Sequence, residues 1–180
     1  GRFPLPPGLR IVPFRPVARR LLRPFLIPVR MLPLLLARPY SLYHFHDIDI
    51  LPMFAALKLA QQRVGDVHIA ADIGCHAFAT FEPFSMGHSI LGYGMSLASS
   101  AGVGPMMARR PLAIMGDGGF WHNGLTSGVA NAVFNKDDGI LVIMKNGYSS
   151  ATGTQEIPSS PQHTAHKALD MSIERALEGL

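Results

Sequence analysis

Two oxygen-bearing side chains, Asp117 and Asn146, each follow an apolar run in the second half of the chain. The runs, residues 112–115 and 140–144, have the length and composition of buried strands. Residues 123–134 between them have the apolar spacing of a helix. A strand–helix–strand crossover places both side chains at the carboxyl edge of a parallel sheet, where ligands bind. We therefore expect Asp117 and Asn146 to face one site.

The chemistry of this region indicates a divalent metal beside a diphosphate. Carboxylate and amide oxygens are hard ligands of the kind that Mg²⁺ prefers, with water and phosphate filling the other positions. Gly116, Gly118 and Gly119 let the backbone approach a phosphate closely, with the amide groups of the following helix turned toward it. A tight turn in which Asp117 caps a helix explains the same residues without any ligand. Taken alone, the GDGG motif leaves both interpretations open.

A second loop of this kind lies upstream of the crossover. Residues 67–71 have the pattern of a strand, and the loop Asp-Ile-Gly-Cys-His follows and ends at His76. An imidazole changes charge near neutral pH, so His76 is predicted to donate a hydrogen bond to a diphosphate or to a substrate carboxylate. Cys75 has no identifiable base to make it a nucleophile, and a packing or contact role is favoured. A loop with one buried thiol and a surface imidazole is the alternative.

Several motifs, in order, resemble a known family. GDGGF and the Asn that ends an apolar strand are similar to the thiamine diphosphate-binding signature. ADIGCH, MGHSI, FWHNG and KNGYSSATGTQ are similar, more narrowly, to the 2-oxoacid:ferredoxin oxidoreductases. Within these, the chain most resembles the diphosphate-binding domain of indolepyruvate ferredoxin oxidoreductase, over about residues 66–161. The resemblance implies an α/β fold of the thiamine diphosphate-binding type, with a parallel sheet and helices on both faces.

The resemblance also implies roles for individual residues. The implied Mg²⁺ ligands are the side chains of Asp117 and Asn146 and the backbone carbonyl of Tyr148. His76 and His122 occupy the implied catalytic positions, although Asn123 stands where the family has a Ser after that second His. The implied cofactor contacts are Gly74, Cys75, His76, Gly87, Gly116, Asp117, Gly118, Gly119, Asn146 and Tyr148.

The implied reaction is the oxidative decarboxylation of a 2-oxoacid, indolepyruvate or another arylpyruvate, to an acyl-coenzyme A. Electrons would pass to ferredoxin, and thiamine diphosphate and Mg²⁺ are the implied cofactors. Because Cys75 is the chain's one cysteine, iron–sulfur clusters are expected only on missing parts or partner subunits. The resemblance also implies that a pyrimidine-binding domain or a second subunit supplies an activating Glu. It further implies an oligomer and a cytoplasmic location.

Two other functions are compatible with the same motifs. A non-oxidative thiamine enzyme, of the 2-oxoacid decarboxylase or acetohydroxyacid synthase type, would share GDG and the Asn but not ADIGCH. A truncated, inactive scaffold domain would need no cofactor. The chain by itself is expected to be a fragment without turnover.

Charge divides the chain into a basic leader, residues 1–46, and an acidic remainder. The leader contains eight Arg and no Asp or Glu, while the remainder has eight basic residues and 12 acids, so nucleic-acid binding is not indicated. Its prolines interrupt every apolar run before the roughly 20 residues that a membrane span needs. The leader is predicted to be a linker, disordered or foreign to the family, because residues 42–47 lack the family's Cys-x-Gly-Cys-Pro-His motif. Residues 47–161 are the predicted thiamine diphosphate-binding domain, and residues 162–180 a terminal helix that leads into a missing part.

Two more helices are predicted outside the crossover. The first covers about residues 50–63 and precedes Gly65, which suits a C-terminal cap. The second is predicted to begin at residues 86–90, and its small residues up to Ser100 would allow close approach to another backbone.

Overall fold

The computed structural model describes residues 42–46, 50–150, 152–153, 155–160 and 171–180. In this part of the chain one parallel sheet contains four strands. They are β1 (Leu42–His46), β2 (Ile69–Ala71), β3 (Leu112–Gly116) and β4 (Ile140–Lys145). Their spatial order is β1-β4-β3-β2, so the two strands of the predicted crossover are neighbours.

Helices cover both faces of the sheet, as predicted. Helix α1 (Ile50–Val64) packs on one face, where Phe54 contributes to a core with Ile114 and Val142. Helices α2 (Ser96–Val103), α3 (residues 117–135) and α4 (Ile173–Glu178) share a second core with β3 and β4. Alternate residues of β3 enter the two cores, as the period of two of a strand requires. The α/β fold class is therefore confirmed.

Helix α3 is the element that follows β3 directly. It is continuous through three parts, an α-helical turn Asp117–Gly119, a π-helical part Phe120–Val129 and an α-helical part Ala130–Asn135. The helix therefore begins at Asp117, earlier than its apolar spacing predicts, because the glycines that precede the spacing are themselves helical. In the widened part Ala130 N–H donates to the Leu125 carbonyl, five residues back.

Residues 86–95 correct the sequence prediction, because they form a loop where a helix is expected. Gly87 and Gly94 have φ angles of 148° and 79°, outside the helical region. The loop instead runs beside β2, where His88 N–H donates to the Ile69 carbonyl and Ala71 N–H donates to the Ser89 carbonyl. Only α2, which begins at Ser96, belongs to the predicted helix.

The ends of the predicted domains lie partly outside the described residues. Helix α1 ends as predicted, with Gly65 at φ 89° and its N–H donating to the Gln61 carbonyl at 2.8 Å. β1 lies inside the predicted basic leader, yet it pairs with β4 from Leu42 to His46. The domain boundary at residue 46 stays a prediction. Residues 1–41 and 161–170 are outside the description. Of the predicted terminal helix only α4, Ile173–Glu178, is helical among the described residues, because Ser172 is extended (φ −116°, ψ 131°) and caps the helix there.

Among the described helices, none has the length and apolar character needed to cross a membrane.

Candidate functional site

A groove opens at the carboxyl ends of β2, β3 and β4. Every predicted cofactor contact except Gly87 and Gly119 lines it. Gly87 lies instead against Thr80, and Gly119 lies against the carboxylate of Asp72. The parallel topology thus assembles residues from three separate loops, as expected for this edge of a sheet. Their individual roles stay predictions.

Asp117 joins two of these loops. Its buried carboxylate accepts hydrogen bonds at Oδ2 from the N–H groups of Asn146 at 3.0 Å and Gly147 at 2.7 Å. Oδ1 accepts from Gly118 N–H at 3.0 Å. Burial raises the pKa of Asp117 above its ordinary value, and hydrogen bonds from four backbone N–H groups, these three and its own, act in the opposite direction. The carboxylate is therefore held in place by both strand ends that form the predicted metal site.

Asn146 and Tyr148 form a turn next to that carboxylate. Asn146 Oδ1 accepts from Tyr148 N–H at 3.1 Å, an Asx turn, and Gly147 between them has φ 87°. Tyr148 begins the short strand β5 (Tyr148–Ser149), which pairs with β6 (Gln155–Glu156). The predicted Mg²⁺ ligands, a carboxylate, a side-chain amide and a backbone carbonyl, thus lie within one small region.

The donor chemistry of this region suits a hard cation. The described residues contain no group of three or more His, Cys, Asp or Glu side chains that could hold a metal. The oxygen donors that line the groove include the Asp117 carboxylate and the Asn146 amide, which are of the kind that Mg²⁺ binds with water and phosphate.

His76 lies at the β2 side of the groove, in a 3₁₀ helix, Cys75–Thr80. The side chain is only 4% exposed, and its Nε2 has no hydrogen-bond partner. Burial lowers its pKa to about 4, against a smaller opposite effect from a hydrogen bond to the Asp72 backbone. The imidazole is therefore neutral at pH 7. Beside it, Cys75 Sγ lies 3.5 Å from Ser150 Oγ.

His122 does not line the groove. Its side chain is exposed near the start of α3, and its ring packs against Tyr93 with the centroids 5.1 Å apart. The catalytic role implied for His122 stays a prediction, and its contact with the groove is through Tyr93.

Tyr93 is a groove residue that the sequence did not single out. Its hydroxyl group is 2.8 Å from Ser149 Oγ and lies against Gly118, where a Cβ would collide with it. It thereby joins the 86–95 loop to β5 across the glycine turn. The helix predicted for this segment gives no reason to single out Tyr93. The flanking Gly92 and Gly94 are the signal that could have indicated a loop.

Two further charged groups surround the groove without having been predicted. Lys145 lines it, and its Nζ lies 3.2 Å from Glu174 Oε1 of α4. Asp72 is fully buried behind it, where Oδ1 accepts from Gly94 N–H at 2.6 Å and Oδ2 has no partner. Burial raises the pKa of Asp72 to about 6, although backbone hydrogen bonds and the charge of His122 oppose the shift. Asp72 therefore fixes the 86–95 loop against β2.

Residues 72–178 match the family described as thiamine pyrophosphate enzyme, C-terminal TPP binding domain. This span contains every residue of the groove.

The chain is also similar to proteins named indolepyruvate oxidoreductase subunit IorA. It is 31% identical to that of Methanothermobacter thermautotrophicus over 110 residues, which are 61% of this chain and 18% of the relative. It is 30% identical to that of Archaeoglobus fulgidus over 107 residues, 59% of this chain and 17% of the relative. For Pyrococcus horikoshii the identity is 28% over 141 residues, 69% of this chain and 21% of the relative. The chain thus spans about a fifth of these relatives. No solved structure matches.

Proposed function

The chain belongs to the thiamine pyrophosphate enzymes, through their C-terminal TPP-binding domain, and on that premise we propose that its groove binds thiamine diphosphate and Mg²⁺. The observation that carries the proposal is the position of Asp117. Its carboxylate accepts hydrogen bonds from the backbone N–H groups of Asn146 and Gly147, so the two residues whose side chains are proposed as metal ligands are adjacent.

The groove residues fit the diphosphate and its metal. Helix α3 begins at Asp117, which lines the groove, so the groove lies at the N-terminal end of a helix, where anions are favoured. The carboxylate of Asp117 is an oxygen donor of the kind that Mg²⁺ binds. Asn146 and the carbonyl of Tyr148 would complete the protein ligands. The unpartnered Nε2 of His76 is a further polar atom that a ligand in the groove can satisfy.

The cofactor supplies the reactive carbon when bound, and the chain positions it. Asp117 and the turn at Asn146 would fix the metal and hence the diphosphate end. Tyr93 and Ser149 meet beside Gly118 in the lining of the groove and so limit the ways in which a ligand can lie there.

The proposed reaction is oxidative decarboxylation of a 2-oxoacid, with indolepyruvate or another arylpyruvate as substrate. The names of the similar proteins support this substrate class. Coenzyme A as acyl acceptor, ferredoxin as electron acceptor and iron–sulfur clusters on other parts of the assembly belong to the same proposal, as does a cytoplasmic location.

A second domain or subunit is proposed to complete the site. Phe78, Phe81 and Leu91 are large apolar side chains with 74%, 67% and 71% of their surface exposed. Phe78 lies in the 3₁₀ helix that follows β2, Phe81 directly follows that helix, and Leu91 lies in the loop at residues 86–95. Exposed apolar groups in such a region are typical of an interaction surface. A pyrimidine-binding domain that supplies an activating Glu is the proposed partner.

Calorimetric titration of the chain with thiamine diphosphate, with and without Mg²⁺, tests the cofactor proposal. We expect binding that depends on Mg²⁺ and that weakens about tenfold or more in Asn146→Ala, because a metal ligand is lost. The exposed position of Asn146 makes this variant suitable, and Asp117→Asn is the second variant, with its fold checked by circular dichroism.

Asp66→Ala is the matched control, because Asp66 is exposed before β2 and does not line the groove. Its affinity should equal that of the unsubstituted chain. Metal-dependent binding that is equally strong in Asn146→Ala and Asp117→Asn would refute the metal assignment, and absence of any binding would refute the cofactor proposal for this chain.

A further inference from the structure

One polar atom in the groove lacks a partner although it is buried. His76 is 4% exposed, lines the groove and leaves Nε2 without a hydrogen bond. Buried polar atoms are nearly always paired, because loss of their hydration is not otherwise compensated. A binding site for a ligand is one place where such an atom is left ready for a partner.

The opposite side of the ring decides what kind of partner can bind. The backbone of Asp72 hydrogen-bonds the imidazole and favours its protonated form, which identifies a carbonyl acceptor. Since Nε2 is unpaired, this bond is made by Nδ1–H. In a neutral imidazole one nitrogen carries the proton and the other is an acceptor. Nε2 of His76, a residue that lines the groove, therefore carries an unpaired lone pair.

The ring has little freedom to change this direction. Gly74 has an extended backbone, with φ 163°, and a Cβ at this position would lie 2.6 Å from His76 Cε1. On the other side a Cβ at Gly116 would lie 3.8 Å from the same carbon. The imidazole is thus confined between the ends of β2 and β3.

A lone pair at Nε2 changes the role that the sequence suggests for His76. Diphosphate and carboxylate oxygens only accept hydrogen bonds at neutral pH, so they cannot pair with it. We propose that His76 Nε2 accepts a hydrogen bond from an N–H or O–H donor of the ligand in the groove. This proposal rests on the proposed function. Two groups of the bound cofactor can donate such a hydrogen bond, namely the amino group of its pyrimidine ring and a water bound to its metal.

Nitrogen-15 NMR of the chain with labelled histidine tests the proposal directly. In the free chain at pH 7 the Nε2 resonance of His76 should be that of an unprotonated nitrogen. Addition of thiamine diphosphate with Mg²⁺ should move it upfield, as acceptance of a hydrogen bond does. His88, whose Nδ1 accepts from Ile69 N–H outside the groove, provides an internal reference that should not move.

Separate titrations distinguish the two donors. Thiamine carries the amino group without the diphosphate, and Mg²⁺ with pyrophosphate carries metal-bound water without the amino group. A shift with thiamine but not with Mg²⁺-pyrophosphate identifies the amino group, and the reverse identifies the water. Either result supports the proposal.

Two variants measure the effect on affinity. His76→Gln can place an acceptor oxygen near the position of Nε2, whereas His76→Phe cannot. We expect the Phe variant to bind thiamine diphosphate about fivefold to tenfold more weakly, as for the loss of one hydrogen bond, and the Gln variant to bind more nearly as the unsubstituted chain.

The proposal is overturned if Nε2 is protonated in the free chain, or if its resonance does not move when thiamine diphosphate binds. If thiamine diphosphate does not bind the unsubstituted chain at all, the proposed function fails and this inference fails with it. If the chain binds the cofactor and the Nε2 resonance of His76 does not move, only this inference is overturned and the proposed function stands.

Discussion

At Asp72, burial and hydrogen bonding act on one carboxylate in opposite directions. The side chain has no exposed surface, and burial raises its pKa from 3.8 to about 6 against the effect of its backbone donors. Its Oδ1 accepts from the N–H groups of Ile73 and Gly94, while Oδ2 has no partner. An acid in this position connects the end of β2 to the loop that carries Tyr93.

The raised pKa makes a prediction about stability and pH. The folded chain holds the Asp72 proton more tightly than the unfolded chain, so this group stabilises the fold below about pH 4 and loses that contribution as pH rises through about 6. Asp72→Asn stays neutral and keeps an oxygen for Gly94 N–H. Its free energy of unfolding relative to the unsubstituted chain should rise by about 1–3 kcal/mol over that window, measured by urea unfolding at several pH values.

Asp66→Asn is the control for this experiment, since it removes an acid that is exposed to solvent. Its pH dependence should follow that of the unsubstituted chain. If Asp72→Asn also follows it, Asp72 does not hold its proton more tightly in the folded state.

At the scale of the elements, α3 approaches its neighbours closely because glycines lie on its buried side. A Cβ at Gly124 would lie 2.6 Å from Met115 Sδ, and one at Gly128 would lie 3.3 Å from Leu97 Cβ. These contacts occur in the π-helical part of α3, which follows the turn at Asp117. Small residues in this helix therefore bring the start of α3 onto the carboxyl end of β3.

A pair of glycine substitutions tests this packing. Gly124→Ala should lower the free energy of unfolding by about 1–3 kcal/mol, because the added methyl group overlaps the Met115 side chain. Gly102→Ala, in α2, meets no atom within 4 Å and should raise it by about 0.5–1 kcal/mol through helix propensity. Chemical denaturation of both variants provides the measurement, and a stabilising Gly124→Ala would contradict the close approach.

At the scale of the whole molecule, one core joins the terminal helix to the site. Ile173 and Leu177 of α4 are buried with Ile143 of β4 and Phe120 of α3. The ion pair between Lys145 and Glu174 lies at the same junction, with both side chains partly exposed. Helix α4 therefore supports β4 at the point where it passes into the turn that contains Asn146.

Loss of this contact should affect the whole fold. Ile173 has no exposed surface, and Ile173→Ala should lower the free energy of unfolding by about 2–5 kcal/mol through the cavity that it leaves. Met171→Ala, two residues earlier and 47% exposed, should change it by less than about 0.5 kcal/mol. Equal effects in thermal unfolding of the two variants would show that α4 is not part of the common core.

Several features of this fold could be predicted because they depend on local pattern. The apolar runs indicate β2, β3 and β4, and Gly65 indicates the end of α1. The rule that ligands collect at the carboxyl ends of parallel strands then predicts that Asp117 and Asn146 are neighbours, and their direct hydrogen bond agrees with it. The motifs also led correctly to the thiamine pyrophosphate enzyme family.

The position of Tyr93 in the groove, the orphan nitrogen of His76 and the buried carboxyl of Asp72 depend on the tertiary structure. None of them follows from spacing, because burial and hydrogen-bond partners come from residues distant in the chain. The loop at residues 86–95 also depends on the tertiary structure, because its backbone hydrogen bonds are made with β2. The sequence by itself determined which residue types follow β2, β3 and β4, and so which residues are predicted to bind a metal and a diphosphate. The tertiary structure decided how Asp117 is held and which nitrogen of His76 is left without a partner, because both depend on backbone groups brought there by folding.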